Sequence, residues 1–395
     1  MAGRTAADRM MSHPEVPAPL AGQFADGAQL RVVFDMTFPN RFPTWGFSVY
    51  ARSLLEALHE HQGVSASEIS GPASSNPRRT ARWLFSGARR EILACRATVL
   101  HCPAFVTPWR SPVPVVINIH DAAALRFPRD YPLEWRLYNR LILPLIARGA
   151  EAIIALSEFS KREAIKYYGV PKGRVVVVAA APSTQYVPQP AQATERLLSQ
   201  LSLPSGEGSR PLLLFSGAPF GRKNLDVILR AMSAAPVGSK LSQALLLISG
   251  ATDNGFEEYR NWIAANGLES RVRWLGKVPH ESMPVLYAAV DMLVYPSTYE
   301  GFGLPPLEAM SVGTPVVAAS ASCLPDVLGD AAILVPPNDH GGFAHAMEAL
   351  LSDEALRASM IEAGRSRAAS YTWERCARET IDVYRATLTR KKRRT

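Results

Sequence analysis

Two glutamates lie on either side of a glycine-containing loop, and this combination of residues could bind and react with a ligand. Glu300 and Glu308 flank a loop with Gly301 and Gly303, which follows a strand-like run and opens a helix. Glycines let the backbone approach a ligand, and N–H groups at a helix start attract an anion such as phosphate. Because carboxylates repel phosphate, we expect the glutamates to bind hydroxyls, one on a sugar and one on a ribose. The alternative is structural: Glu308, in the first helical turn, complements the helix dipole, and the glycines form turns.

A second candidate is a pair of adjacent cations, Arg222 and Lys223. They follow the first strand-like run of the second half of the chain, in a loop that also contains Gly217 and Gly221. Guanidinium and ammonium groups bind phosphate oxygens, so this loop is predicted to hold a diphosphate. The loop lacks the Gly-x-Gly-x-x-Gly pattern of dinucleotide-binding domains. The alternative is a solvated surface pair.

The first half of the chain contributes His120 and Gly46. His120 ends a buried type of strand and precedes Asp121, and Gly46 opens a helix after the first strand. A histidine can hydrogen-bond a substrate or exchange a proton near neutral pH. The alternative is a His120–Asp121 pair that only orders its own loop.

Hydrophobic periodicity places these residues at the ends of strands in two α/β domains. Eleven short apolar runs alternate with helical stretches, a pattern typical of doubly wound parallel sheets that are covered on both faces. Such sheets bind ligands at the carboxyl ends of their strands. We therefore predict two Rossmann-like domains facing each other across a cleft. The predicted divisions are a disordered lead-in over 1–28, a first Rossmann-like domain over 29–185, a linker over 186–210, a second Rossmann-like domain over 211–370, and a C-terminal helix with a basic tail over 371–395 that packs back on the first domain.

Composition fits this organisation. The chain has 395 residues, of which 47% are hydrophobic and 20% charged, as expected for two folded domains rather than a disordered chain. The net charge of +8 arises within residues 1–190, which hold 22 Lys and Arg against 14 Asp and Glu, whereas residues 191–395 hold 21 of each. The first half is therefore expected to face an acidic partner, such as a lipid surface, a phosphorylated substrate or nucleic acid.

The same survey predicts a cytoplasmic protein. No apolar run reaches the length of a membrane-spanning helix, and the N-terminal residues lack the apolar core of a signal peptide. The four cysteines lack the paired spacing of a metal site, so we expect reduced thiols in structural positions.

At these residues the chain resembles the retaining glycosyltransferases of family four, enzymes of the GT-B architecture that use nucleotide-sugar donors. The resemblance spans nearly the whole chain after residue 29, and the glutamate pair is its most specific element. It implies that the first domain, 29–185, binds the acceptor and that the second, 211–370, binds the nucleotide sugar. It implies that Glu300 contacts hydroxyls of the donor sugar, Glu308 holds the ribose and Lys223 binds the diphosphate. The other site positions that it implies are the amides of Phe302, Gly303 and Leu304 at the diphosphate, His120 in the cleft, Gly46 near the donor phosphates and Val278 near the base pocket.

The chain departs from the family pattern at two positions. Family members often carry arginine directly after the glycine that is Gly217 here, whereas this chain has Ala218, so Arg222 is the cation available from the same loop. Asp326 stands where a glutamate is usual and is one methylene shorter. The loop of Arg222 is nevertheless most similar to the subgroup that adds mannose or related sugars from GDP-sugars during polysaccharide assembly. The resemblance thus implies GDP-mannose as donor and a glycan acceptor, which we expect to be lipid-linked.

The expected reaction needs no metal or other cofactor. Many transferases hold a divalent metal against the diphosphate with acidic residues, but Asp-x-Asp does not occur in this sequence. Lys223, Arg222 and the amides of Gly303 and Leu304 are expected to stabilise the departing diphosphate instead. The resemblance implies same-face attack, in which the leaving phosphate helps to deprotonate the acceptor hydroxyl.

Two rival functions remain open at this stage. One is an epimerase that acts on nucleotide sugars with the same architecture. The other is a non-catalytic scaffold that grips partners or nucleic acid through the arginine-rich segment 78–96, which contains Trp83. The glutamate pair, Lys223 and the lack of a helix-turn-helix or zinc pattern favour an enzyme without a nucleic-acid partner. We interpret segment 78–96 as lying on an anionic membrane, with a solvated loop and helix face as the alternative, and therefore expect a peripheral protein on the inner face of the cytoplasmic membrane.

Overall fold

Two parallel sheets, each covered by helices on both faces, make up the molecule. The computed structural model describes residues 29–392, apart from 44, 73–78, 80, 81, 105, 109, 204–209, 220 and 251–255. The lead-in predicted over 1–28 and the last residues of the basic tail lie outside this part of the chain. The predicted α/β class with two Rossmann-like sheets is confirmed.

Each sheet has six parallel strands. The strands of the first sheet are β1 Leu30–Asp35, β2 Val64–Ile69, β3 Val99–Cys102, β4 Val115–Ile119, β5 Ala152–Ala155 and β6 Val175–Val177. Those of the second are β7 Leu212–Ser216, β8 Leu245–Ser249, β9 Val272–Gly276, β10 Met292–Tyr295, β11 Val316–Ala319 and β12 Ile333–Val335. The spatial orders are β2-β1-β3-β4-β5-β6 and β12-β11-β10-β7-β8-β9. The strand order therefore reverses between β1 and β3 and between β7 and β10, where open α/β sheets form their binding crevices.

Helices connect the strands and cover both faces. Those of the first sheet and the connection are α1 Thr37–Arg41, α2 Gly46–His59, α3 Ala88–Ala94, α4 Ala123–Arg126, α5 Leu133–Leu137, α6 Leu143–Gly149, α7 Glu158–Tyr168 and α8 Ala191–Gln200. The remaining helices are α9 Leu225–Ser233, α10 Lys240–Gln243, α11 Glu257–Ala265, α12 Met283–Ala288, α13 Leu304–Val312, α14 Leu324–Leu328, α15 His340–Ser352, α16 Glu354–Ala369 and α17 Trp373–Lys392. Two π-helical turns, Trp83–Gly87 and Tyr138–Ile142, continue directly into α3 and join α5 to α6.

The central strands are buried along their whole length because helices pack on both sides. Every residue of β7 and of β8 is buried, which explains why both read as uninterrupted apolar runs rather than alternating ones. Parallel pairing aligns the carboxyl ends of these strands at one edge, so the loops that follow them converge there.

One strand of the first sheet was missed by hydrophobic periodicity. β2 has the sequence Val-Ser-Ala-Ser-Glu-Ile and is largely part-buried, since it pairs only with β1 at the sheet edge. An edge strand needs little apolar surface, so its residues carry no strong pattern. The eleven apolar runs found in the sequence omit this strand for that reason, and the two sheets together have twelve strands in the described residues.

The chain crosses between the two sheets twice. The first crossing includes the segment predicted as a linker, which contains α8 and buries Leu198. The second returns the chain through α17, which packs on α2 of the first sheet. The indole Nε1 of Trp373 donates to the carbonyl of Pro182 over 2.9 Å, and the Tyr384 hydroxyl is hydrogen-bonded to the buried ring of His101. The C-terminal helix is therefore built into the first domain.

The structure also shows whether any described helix could span a membrane and whether the cysteines are paired. No helix in the described ranges is long and apolar enough to cross a bilayer. The four cysteines are free thiols, and Cys102, Cys323 and Cys376 are buried. They pack as small apolar side chains.

Candidate active site

The loops that follow β7 and β10 meet at the point where the strand order of the second sheet reverses. β7 leads to Arg222 and Lys223, and β10 leads to Glu300. The Thr298 amide donates to the carbonyl of Arg222 over 2.8 Å, and the Thr298 hydroxyl donates to the same oxygen over 3.1 Å. Two segments 77 residues apart in sequence are thus fixed side by side.

Glu300, Lys223 and Arg222 form a cluster of charges. The ammonium of Lys223 lies 2.6 Å from Oε1 of Glu300 and also donates to the Tyr295 hydroxyl over 2.9 Å. The Arg222 guanidinium lies 3.5 Å from the same carboxylate oxygen and donates to the carbonyl of Tyr299 over 3.3 Å. The three charged side chains are only 12–17% exposed. Two largely buried cations therefore share one carboxylate.

Burial and pairing oppose each other in this cluster. Burial alone would raise the pKa of Glu300, but Lys223 and Arg222 hold that pKa below its usual range. Burial lowers the pKa of Lys223, and the attraction of Glu300 offsets part of this effect. The carboxylate is thus ionised at neutral pH, and the two cations beside it attract further negative charge.

Glu308 lies on α13 in a different environment. The Tyr287 hydroxyl lies 3.5 Å from its Oε2, and the Tyr186 side chain is also hydrogen-bonded to it. Burial raises the pKa of Glu308 to about 7. The expectation that Glu308 lies in the first helical turn was wrong: α13 begins at Leu304, so Glu308 is its fifth residue. A partly protonated glutamate in the second turn does little to complement the helix dipole.

The loop between the glutamates ends in a glycine-capped helix start. Gly303 caps α13 at a φ of +90°, a conformation that favours glycine. Phe302 is buried and packs edge-on against Tyr371, with ring centroids 5.6 Å apart. Leu304 is the first residue of the helix, so the predicted phosphate-binding amides lie at its N-terminus.

His120 is half-buried at the end of β4, and its hydrogen bond runs to the backbone. Its Nε2 lies 2.8 Å from the carbonyl of Pro103, so Nε2 carries the proton. Burial lowers the pKa of the ring, which is therefore neutral at pH 7. Asp121 accepts a hydrogen bond from the amide of Ala123 over 2.9 Å, which helps to order the loop after β4.

Three further positions complete the predicted set. Gly46 is the first residue of α2, and a Cβ there would meet no atom of the other described residues within 4 Å beyond its chain neighbours and its own helix backbone. Gly217 has a φ of +118° and lies against the side chain of Lys223. Val278 is partly buried just beyond β9. Asp326, which replaces the usual glutamate, is exposed on α14. Within the described residues no three side chains of His, Cys, Asp or Glu come together as metal ligands.

Sequence reasoning missed Tyr299, which anchors the glutamate loop in the first domain. Its ring is 2% exposed and packs against Phe127 and Phe159, both from the first domain. Its hydroxyl accepts from the amide of Ala122 over 2.9 Å and donates to Glu163 over 3.1 Å. The signal available in the sequence was an aromatic residue directly before the glutamate.

The residue after Glu300 is held across the same interface. The carbonyl of Gly301 accepts from the hydroxyls of Ser157 and Ser160, each over 2.7 Å. A Cβ at Gly301 would collide with the carbonyl oxygen of His120, so only glycine allows this approach. Both neighbours of Glu300 are thus fixed in the first domain.

Fold and site together define a class of protein, the GT-B glycosyltransferases, in which two Rossmann-like sheets face a shared cleft. A family model described as "Glycosyltransferase Family 4" matches residues 40–181, and one described as "Glycosyl transferases group 1" matches residues 204–367. The chain belongs to glycosyltransferase family four and is a transferase.

Individual relatives agree with this assignment. The chain is 34% identical over 290 residues to the O-antigen chain mannosyltransferase B of Escherichia coli, an alignment that covers 73% of this chain and 74% of that protein. It is 30% identical over 283 residues to a D-inositol 3-phosphate glycosyltransferase of Corynebacterium aurimucosum, covering 69% and 66%. The sucrose-phosphate synthase of Thermosynechococcus elongatus has a TM-score of 0.73 at 22% identity, covering 91% and 99% of the two chains, and so shares the fold.

Removing the Tyr299 hydroxyl tests the anchor between the domains. Tyr299→Phe keeps the ring but leaves a buried amide and a buried carboxylate without this partner, so we expect the free energy of unfolding to fall by about 1–3 kcal/mol. Urea denaturation measures the change. Tyr167→Phe is the control, because the Tyr167 hydroxyl accepts only an exposed bond from Arg126. Equal stabilities of the two variants would show that Tyr299 is not an anchor.

Proposed function

We propose that this protein is a retaining mannosyltransferase that moves mannose from GDP-mannose to a lipid-linked glycan acceptor during cell-surface polysaccharide synthesis. The observation that carries the proposal is the cluster in which Lys223 and Arg222 share the Glu300 carboxylate. The similarity to an O-antigen mannosyltransferase supports the sugar and the type of acceptor. We further propose that the enzyme lies peripherally on the inner face of the cytoplasmic membrane.

In this proposal Lys223 and Arg222, which pair with the Glu300 carboxylate in the free protein, pair with the donor diphosphate when the donor binds. The donor diphosphate approaches the N-terminus of α13, where Gly303 and Leu304 offer backbone amides, and Lys223 and Arg222 neutralise its charge. Glu300 then accepts hydrogen bonds from hydroxyls of the mannose, and Glu308 accepts them from the ribose. Gly46 leaves space for the phosphates on the side of the first domain.

The proposed transfer step retains the anomeric configuration. The bond from the anomeric carbon to the diphosphate oxygen breaks, and an acceptor hydroxyl forms the new bond on the same face. The hydroxyl proton passes to the departing diphosphate, so no protein base is required. Lys223 and Arg222 stabilise the charge that develops on the leaving group, which is the role a metal has in other transferases. We therefore propose that turnover persists in EDTA.

Donor identity is tested by a thermal-shift screen across GDP-, UDP-, ADP- and dTDP-sugars. A ligand at one hundred times its dissociation constant stabilises the folded state by about 2.7 kcal/mol. At one common concentration the sugar nucleotide that binds most tightly gives the largest shift, and we expect this to be GDP-mannose. NMR of the glycan product should then show an α-anomeric linkage formed from the α-linked donor. A larger shift with another sugar nucleotide would change the donor, and an inverted linkage would overturn the retaining mechanism.

Substituting the site should remove transfer and spare the fold. Lys223→Ala removes a cation from the leaving group, and we expect kcat to fall by about 10²–10³-fold. Glu308→Ala removes the proposed ribose contact, and we expect it to abolish transfer. Lys277→Ala is the matched control, because Lys277 is an exposed lysine just beyond β9. Wild-type turnover by either folded site variant would contradict the assignment.

Donor binding should also depend on pH through Glu308. Its pKa in the donor-free protein is raised to about 7, and a carboxyl group that accepts hydrogen bonds from a ribose must be ionised. Binding therefore releases protons, and affinity for GDP-mannose should fall by up to about tenfold per pH unit below 7. The diphosphate of this donor keeps its charge over that range, so calorimetry in buffers of different ionisation enthalpy measures the protein's protons. The Glu308→Gln variant should bind GDP-mannose more weakly and release no protons. If this variant released as many protons as the wild type, the protons would come from a group other than Glu308.

A further inference from the structure

A row of leucines faces solvent on the first domain. The helical segment 133–149 consists of α5, the π-helical turn Tyr138–Ile142 and α6. Leu133, Leu137, Leu141 and Leu145 are 58%, 48%, 57% and 62% exposed, and Ile142 is 45% exposed. The opposite side of the segment is buried in the core. Singly exposed leucines are ordinary, but four at a constant spacing form a continuous apolar stripe.

The π-helical turn keeps this stripe straight. In an α-helix each i, i+4 step overshoots a full turn by about 40°, so four leucines at this spacing would drift around the helix. A π-helical turn winds more loosely and reverses part of that drift at Tyr138–Ile142. The segment therefore presents one apolar edge roughly 18 Å long, from the 12 steps between Leu133 and Leu145 at about 1.5 Å each.

Arginines flank the leucine row. Residues 129–149 are all described and contain four exposed arginines, Arg129, Arg136, Arg140 and Arg148. The carboxylates in the same range are Asp130 and Glu134. The surface beside the row is therefore basic, as the charge excess of residues 1–190 requires.

From residue 82 onward, the arginine-rich segment 78–96 lies on the same side of the first domain. Trp83 and Ile92 pack into the core cluster that also contains Leu143 and Ala147, so α3 and segment 133–149 cover one face of the first sheet. Trp83 and Ile92 are therefore buried and not available to a membrane. Leu93 is 54% exposed, and arginines of this segment, among them Arg89 and Arg90, are also exposed.

We propose that this side of the first domain, the docking face formed by Leu133, Leu137, Leu141, Leu145, Arg136 and Arg140, binds the surface of an anionic phospholipid bilayer. Leucines would enter the acyl boundary while the arginines meet lipid phosphates. A second copy of this chain suits the face poorly, because a two-fold contact would bring arginines against arginines with few carboxylates to compensate.

The docking face adjoins the cleft. Segment 133–149 begins two residues after Tyr131, whose side chain is hydrogen-bonded to Arg222 of the charge cluster. A bilayer along the segment would therefore lie beside the site, where an acceptor carried by a lipid could enter. This consequence rests on the proposed function, whereas binding of the bilayer does not.

Vesicle flotation with the full chain tests the proposal. We expect the protein to float with vesicles of phosphatidylglycerol and phosphatidylcholine, to stay behind with phosphatidylcholine alone, and to lose binding as salt is raised. Leu137→Gln/Leu141→Gln/Leu145→Gln should weaken binding at least tenfold with an unchanged melting temperature, and Arg136→Gln/Arg140→Gln should weaken it mainly at low salt. Val237→Gln is the control, since Val237 is a fully exposed apolar residue of the second domain.

Two results would overturn the docking face: wild-type flotation by the leucine variant, or a wild-type dimer that this variant converts to a monomer in size-exclusion chromatography. The second would assign the face to another copy of the chain. Transfer from GDP-mannose to a short soluble acceptor should be unchanged by the leucine substitutions. If the wild-type protein shows no such transfer, the proposed function is refuted. The flotation result then still tests membrane binding by the docking face.

Discussion

The structure depends on keeping a carboxylate charged in a largely buried place. Glu300 is ionised because Lys223 and Arg222 stand beside it, and only the loss of both cations would leave its charge uncompensated. That pairing in turn depends on β7 and β10 being neighbours in the second sheet. The reversal of strand order at this point is therefore what allows the cluster to exist.

The same short loop also joins the two domains. Tyr299 and Gly301 are held by residues of the first domain, and Glu300 between them is held by cations of the second. A movement of one domain relative to the other would therefore disturb the position of the carboxylate directly. The geometry couples the arrangement of the domains to the charge of Glu300.

Charge is distributed in a way that separates two tasks. The second half of the chain has no net charge, and two of its cations, Arg222 and Lys223, lie in the cluster beside Glu300. The excess of the first half includes exposed arginines on the outer face of its sheet, next to the leucines of segment 133–149. In the functions proposed above, the first domain would supply long-range attraction to an anionic surface and the second would supply local attraction to a donor.

Local patterns in the sequence determined a large part of this description. Continuous apolar runs specify buried parallel strands, and parallel strands bring their carboxyl ends to one edge, so Lys223 and Glu300 could be assigned to one site from their places after β7 and β10. Tertiary structure alone decided the rest. β2 needs little apolar surface at its edge, the burial of Tyr299 requires the other domain, and the outward side of segment 133–149 is set by which side the sheet covers. These features depend on contacts between distant parts of the chain. Hydrophobic periodicity shows that a helix has an apolar face, but it does not show which residues pack against that face.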